Sequence, residues 1–328
     1  GEFDRLKQWL YPAVLRASTY QGHLYSLPTN FNTEALFYNA RHFREVGLDP
    51  NRPPRTLAEL DACAQKLYKL DSAGRIQRLG FFPRDLLNWA AAFGGQWYDP
   101  QSGRVTATDP RIVDALRWMQ TYAVRYDINR ISTFQAGQTS LADATWPFLD
   151  DKTVSMVEDG QWRVHIIHDY APRGFDYRVC PLPSPDGKRL ACWCVANLMI
   201  IPQNARNARG AWEFIKFWNG WKDHDDGTQV ARAAEFYTWG GWLPTSPRIA
   251  EQPAYRAYIR KFPEFQTFVD IAASPDAQVA PQFPIQQYFL DRVGDETDAV
   301  MRNVLSPADG MQKLQDETQA ELDRVNQH

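Results

Sequence analysis

Cysteine is scarce in this chain. There are four among 328 residues, with no Cys/His spacing of the metal-binding kind. Cys63 falls inside a helical pattern. Cys192 and Cys194 stand two apart on a predicted strand, so they share a face and cannot bridge each other comfortably. Cys180 precedes the turn Ser184-Pro185-Asp186-Gly187, so it can face Cys192 or Cys194 across a hairpin. That leaves a disulfide there or, as the plainer reading, buried free thiols. Long apolar runs are missing too, and none reaches the roughly 18 residues needed to span a membrane. Nothing reads as a signal peptide, and the opening Gly1-Glu2-Phe3 reads as an appended linker. There is no basic excess. Lys and Arg number 36 against 39 Asp and Glu, a net charge of −3, which argues against nucleic acid as the main partner. Internal repeats and low-complexity tracts are absent.

Aromatic residues are abundant, at 13% with twelve Trp. Most of those rings belong in a core. A surplus of Trp also suits a sugar-binding cleft, because a flat ring matches the apolar face of a pyranose. The length permits two domains at roughly 100–200 residues each. Helical and strand patterns alternate, so the class is α/β with separate small sheets. Thr56 with Glu59 makes a capping box, and Asp109-Pro110 starts another helix. A helix is expected around Thr139 to Leu149, broken at Pro147. Tyr177–Pro181 and Cys192–Ile201 are expected strands flanking a Pro/Gly-rich turn, and Pro307 to Val325 reads as a closing amphipathic helix.

The chain is organised around residues 20–43. His23 to Leu27 alternates as a half-buried strand does. Pro28, with no N–H to donate, is expected to end that pairing. Thr29, Asn30, Phe31, Asn32, Thr33 and Glu34 form a short polar extended piece, after which Ala35 to Tyr38 resumes an apolar run. A strand, a polar crossing and a second strand suit a passage between two lobes, with amide side chains free to bond a ligand.

That pattern resembles the family-1 solute-binding proteins of ABC importers, the maltose-binding-protein-like group. Besides the crossing, the likeness rests on Glu45-Val46-Gly47-Leu48-Asp49-Pro50, Phe93-Gly94-Gly95 and Val154 to Trp162. In the last of these the family typically has an Asp/Asn-Gly-Pro-Trp turn. It rests also on Pro181-Leu182-Pro183, Ala211 to Phe217, and Gly241-Trp242-Leu243-Pro244. The resemblance implies a two-lobed, periplasmic-binding-protein-like α/β fold of type II. It assigns residues 1–33 and 203–244 to an N-terminal-type lobe, and residues 34–202 and 245–328 to a C-terminal-type lobe. It implies capture of a di- or oligosaccharide between lobes, hinge closure and delivery to an ABC permease, with no catalysis and no cofactor. The location implied is periplasmic or extracytoplasmic, as a membrane-anchored lipoprotein in full-length form. The family's opening strand–helix–strand units have no match here, so the first lobe reads as truncated or reduced. Its apolar surface would then need cover, which points to a homodimer.

The candidate ligand-binding residues follow from the same likeness. Trp162 sits at the position of an aromatic that stacks on a sugar, on a strand-to-helix turn where α/β sheets bind ligands. Asn32 aligns with a polar contact that is an acid in maltose-binding relatives, and Asn30 lies beside it in the crossing. Asp85 and Trp89 precede Phe93-Gly94-Gly95, Asp159 precedes Trp162, and Trp193 lies between Cys192 and Cys194. Tyr237, Trp239 and Trp242 surround Gly240-Gly241. The alternatives are core packing for each ring and local turn bonding for each amide. A carbohydrate-active enzyme would need two carboxylates, and Asp150, Asp151, Glu158 and Asp159 are the only dense acid group near a predicted cleft. A scaffold without ligand is a third reading.

Overall fold

The crossing stretch forms two consecutive strands, Ser26–Asn32 and Glu34–Asn39, and they enter different sheets. The computed structural model describes residues 1–137, 146–222 and 227–327. Two compact units emerge. The first comprises Gly1–Glu34, Gly160–His165 and Trp193–Gln282, and the second Ala35–Asp159, Ile166–Cys192 and Phe283–His328. The boundaries expected from the sequence differ from this grouping. Residues 160–165, 193–202 and 245–282 also gather with the first unit. The reason is visible in the strand Val195–Ile200, which pairs with Ser26–Asn32 and carries its flanking chain along.

In the first unit that pairing is antiparallel, from Asn32 opposite Val195 to Ser26 opposite Ile200. Pro28 does not end the strand. It sits opposite Leu198, where the register shifts between Asn197 and Leu198, and such irregularities tolerate a missing N–H. Alternation aims Leu27 and Phe31 inward, both 0% exposed, with Val14, Ala234, Leu243, Tyr255 and Phe265. Asn219 is buried and bonded on both sides of its amide, donating to the Pro28 carbonyl and accepting from the Thr245 hydroxyl. Val195, Leu198, Ile200, Phe214 and Phe217 are exposed apolar side chains. Nearby, a recess of about 520 Å³ is lined by Leu6, Leu24, Leu27, Met199, Trp212 and Ile215.

In the second unit the strand Glu34–Asn39 lies between Tyr177–Cys180 and Met156–Gly160. Residues Ala35 to Ala40 are all buried, as expected for a central strand. The Thr56–Glu59 capping box forms, and the Asp109 carboxylate accepts from the Arg111 N–H at the start of Pro110–Tyr126. The closing helix runs over Pro307–Asn326. The helix expected over Thr139 to Leu149 lies partly outside the described residues; Pro147–Asp150 is a 3-10 turn.

The expected hairpin does not form. Tyr177–Cys180 pairs with Leu36–Asn39, whereas the later strand starts at Val195 and pairs with Ser26–Asn32. Pro181, Pro183 and Pro185 remove ladder donors just after Cys180, so the chain cannot fold back on itself there. All four cysteines are buried and none is in a disulfide. Cys192 donates its thiol to the Asn88 side-chain oxygen at 3.0 Å, and burial pushes the Cys194 thiol up to about 12.

Candidate ligand-binding surfaces

The first unit brings Asn30, Asn32 and Trp162 to partly open positions. Asn30 and Asn32 are two apart on one strand and therefore share a face. Asn30 Oδ1 accepts from Asn197 Nδ2 at 2.7 Å. Asn32 Oδ1 accepts from Gln161 Nε2 at 2.5 Å, which fixes the residue before Trp162 against the crossing strand. Trp162 is 39% exposed. Its benzo ring fills the space that a Cβ on Gly160 would need, at 1.9 Å from Cζ3. Gly240-Gly241-Trp242 repeats the device, with Trp242 Cε2 at 2.3 Å from the corresponding point on Gly240. Each Gly-x-Trp turn thus folds an indole back onto bare backbone, which limits the ring's freedom before any ligand arrives.

Trp242 is half-buried and packs on Phe236 and Trp218 at centroid distances of 4.9 and 6.0 Å. Trp239 is 79% exposed at the end of the helix Thr228–Trp239. Three sequence expectations need correction here. Tyr237 is 0% exposed, so its ring is core. Trp193 is 6% exposed and bridges Gln278, so it too packs inside the first unit. In the second unit Trp89 is 0% exposed, wedged between Phe81 and Trp118 at centroid distances of 5.8 and 4.5 Å. The eight-residue helix Leu86–Phe93 turns that position inward, and the burial pattern of a short apolar helix gave no sequence signal to separate core from surface.

Asp85 is half-buried and caps that helix, accepting from the Leu87 N–H at 2.9 Å. Burial raises its pKa above the usual carboxylate value. Glu158 is 1% exposed and accepts from both the Arg84 and Asp85 backbone N–H groups, at 2.6 and 2.9 Å. Asp159 is 5% exposed, which leaves it little surface for a ligand. The acid group expected near a cleft is otherwise engaged in local structure. Asp150 accepts from the Lys152 and Thr153 N–H groups, and Asp151 accepts from Asn39 Nδ2. Among the described residues no cluster of His, Cys, Asp and Glu could hold a metal ion.

Gln161 and Asn197 were not singled out in the sequence. The signal for Gln161 was there, since it stands where the resembled turn has proline. Nothing local marks Asn197, whose partner is 167 residues away.

Two α/β units that the chain enters repeatedly, one carrying an indole on a Gly-x-Trp turn beside strand amides, define a two-lobed binding-protein fold. The chain belongs to the bacterial extracellular solute-binding protein family, whose sequence profile matches residues 2–263. It is 26% identical over 224 residues to the maltotriose-binding protein of Pyrococcus abyssi, covering 66% of this chain and 44% of that one. It is 25% identical over 193 residues to the sn-glycerol-3-phosphate-binding periplasmic protein UgpB of Brucella abortus, covering 57% and 42%. The chain thus spans less than half the length of these curated relatives. Among solved structures, CpMnBP1 with mannotriose bound shares 25% identity at a TM-score of 0.78, covering 96% of this chain and 78% of that one. The cyclic alpha-maltosyl-1,6-maltose binding protein of Arthrobacter globiformis shares the fold, at 19% identity and a TM-score of 0.73 over 98% and 78%. No helix among the described residues is long and apolar enough to cross a membrane.

Proposed function

We propose that the chain is the substrate-binding component of an ABC importer, that it captures a neutral di- or oligosaccharide, and that it does no chemistry on it. The observation that carries this reading is the Trp162 indole braced on Gly160 beside the Asn32–Gln161 amide pair. An indole offers an apolar face to a pyranose, and amides offer donors and acceptors to hydroxyls. These hydrogen-bonding groups are uncharged, which favours a saccharide over a phosphodiester. Two or three aromatic contacts at about 0.5–1.5 kcal/mol each, with hydroxyl bonds at about 1 kcal/mol, approach the roughly 8 kcal/mol of micromolar binding. The absence of turnover is supported by the structural engagement of Asp150, Asp151 and Glu158.

The relatives direct the location and partners. A family of extracellular solute-binding proteins favours a periplasmic or extracytoplasmic protein that docks on permease subunits. The exposed Val195, Leu198 and Ile200 edge supports a homodimer that covers it. Monomers by light scattering would end that part of the reading.

The test is calorimetry with maltotriose, mannotriose and glycerophosphocholine, alongside a product assay. Saturable heat with a trisaccharide and no product is expected. Tighter binding of glycerophosphocholine, or turnover of any sugar, would overturn the assignment.

A further inference from the structure

Gln161 departs from the proline expected in its turn, and its side chain is 1% exposed. The Thr33 backbone N–H donates to Gln161 Oε1 at 3.2 Å, and Gln161 Nε2 donates to Asn32 Oδ1 at 2.5 Å. The sense of both bonds is forced. A backbone N–H can only donate, so the Gln161 atom facing it must be the carbonyl oxygen. The Gln161 NH2 then points at Asn32 and, as a donor only, requires an oxygen there. Asn32 is left with its Nδ2 turned away, at a half-buried position with no hydrogen bond to any described residue. Asn30 has the same sense: Asn197 Nδ2 occupies its Oδ1.

We propose that Gln161 is a positioning residue that makes Asn32 a hydrogen-bond donor, so that the ligand presents an acceptor to it. This rests on the reading that the surface binds a saccharide; the acceptor is then a ring or glycosidic oxygen, or a hydroxyl lone pair. An acid at position 32 would only accept at neutral pH and would demand a hydroxyl proton instead. A proline at 161 would leave both the Thr33 N–H and the Asn32 amide without this partner. The Gln161 side chain thus inverts the polarity of the contact while keeping a buried backbone donor satisfied.

The experiment is side-chain amide hydrogen exchange on the whole chain by NMR, without ligand. Gln161 Nε2 protons are expected to exchange at least about tenfold more slowly than those of Asn32 Nδ2, because only the former are bonded within the protein. In Gln161→Glu the carboxylate still accepts from Thr33 but cannot donate. Asn32 is then expected to turn over, and its Nδ2 protons to become protected. With maltotriose and mannotriose as probes, Gln161→Glu is expected to weaken binding about five- to tenfold, the worth of one donor. In an Asn32→Ala background the same change is expected to alter affinity less than about twofold, because the two residues act as a unit. Asn32 protons as protected as those of Gln161 in the unaltered protein, or full multiplication of the two losses, would overturn the proposal. Should neither trisaccharide bind, the saccharide reading fails, and the exchange contrast alone decides the orientation of the amide.

Discussion

The benzo ring of Trp162 occupies the position that a side chain on Gly160 would claim, 1.9 Å from Cζ3. Glycine is required there by space, since its φ is not in the left-handed region. Gly160→Ala is expected to displace the indole, at a cost of about 1–3 kcal/mol for overpacking. Trp fluorescence quenching by acrylamide should rise, and saccharide affinity should fall with it. Unchanged quenching would show that the ring does not depend on the bare backbone.

Removing the ring itself separates binding from stability. Trp162→Ala should weaken saccharide binding by at least about tenfold, while its partly exposed ring holds the unfolding change to about 1 kcal/mol. Calorimetry and denaturant melts on the same sample check both arms.

Two other tryptophans make an opposed pair. Trp89 is 0% exposed and Trp239 is 79% exposed. Trp89→Ala should cost about 3–5 kcal/mol through lost contacts and a residual cavity. Trp239→Ala should stay within about 0.5 kcal/mol. Urea melts reading the two units separately would show the Trp89 effect in the transition of the second unit.

The second unit also contains a pH-dependent contact. Arg78 is 4% exposed, and its Nη1 donates to Glu45 Oε2 at 2.6 Å. That bond holds the Glu45 pKa below its ordinary value. A carboxylate whose pKa is depressed in the fold stabilises the protein above its unfolded pKa. That contribution is lost as pH falls through the folded one. Glu45→Gln should therefore cost about 1 kcal/mol at pH 7, since the carboxylate is partly exposed and screened. The gap to the parent protein should close in acid below the ordinary glutamate range. Thermal melts across pH test it, and a gap that persists in acid would assign the loss to packing instead.

Helix starts were legible because capping is local: Thr56 with Glu59 and Asp109 with Pro110 act within a single turn. Pro28 misled, because its cost depends on what lies across the strand, and a register shift at Leu198 absorbs it. The rings of Trp89 and Trp193 were indistinguishable from that of Trp162 by residue type, and Tyr237 is aromatic like them. Burial separates them, and burial is set by neighbours distant in sequence.

By itself the sequence determined the α/β class, the recurrent passage of the chain between two bodies, and the turns that aim Trp162 and Trp242. The class and the turns follow from periodicity, caps and glycine, whose effects reach only a few residues, and the repeated passage follows from the family resemblance. Tertiary structure alone decided that Val195–Ile200 pairs with Ser26–Asn32 and not with its neighbour in the chain. It alone decided that Gln161 meets Asn32, 129 positions away. Hydrogen bonds and apolar contacts at such separations are chosen by the packed core as a whole, and no window of sequence contains both partners.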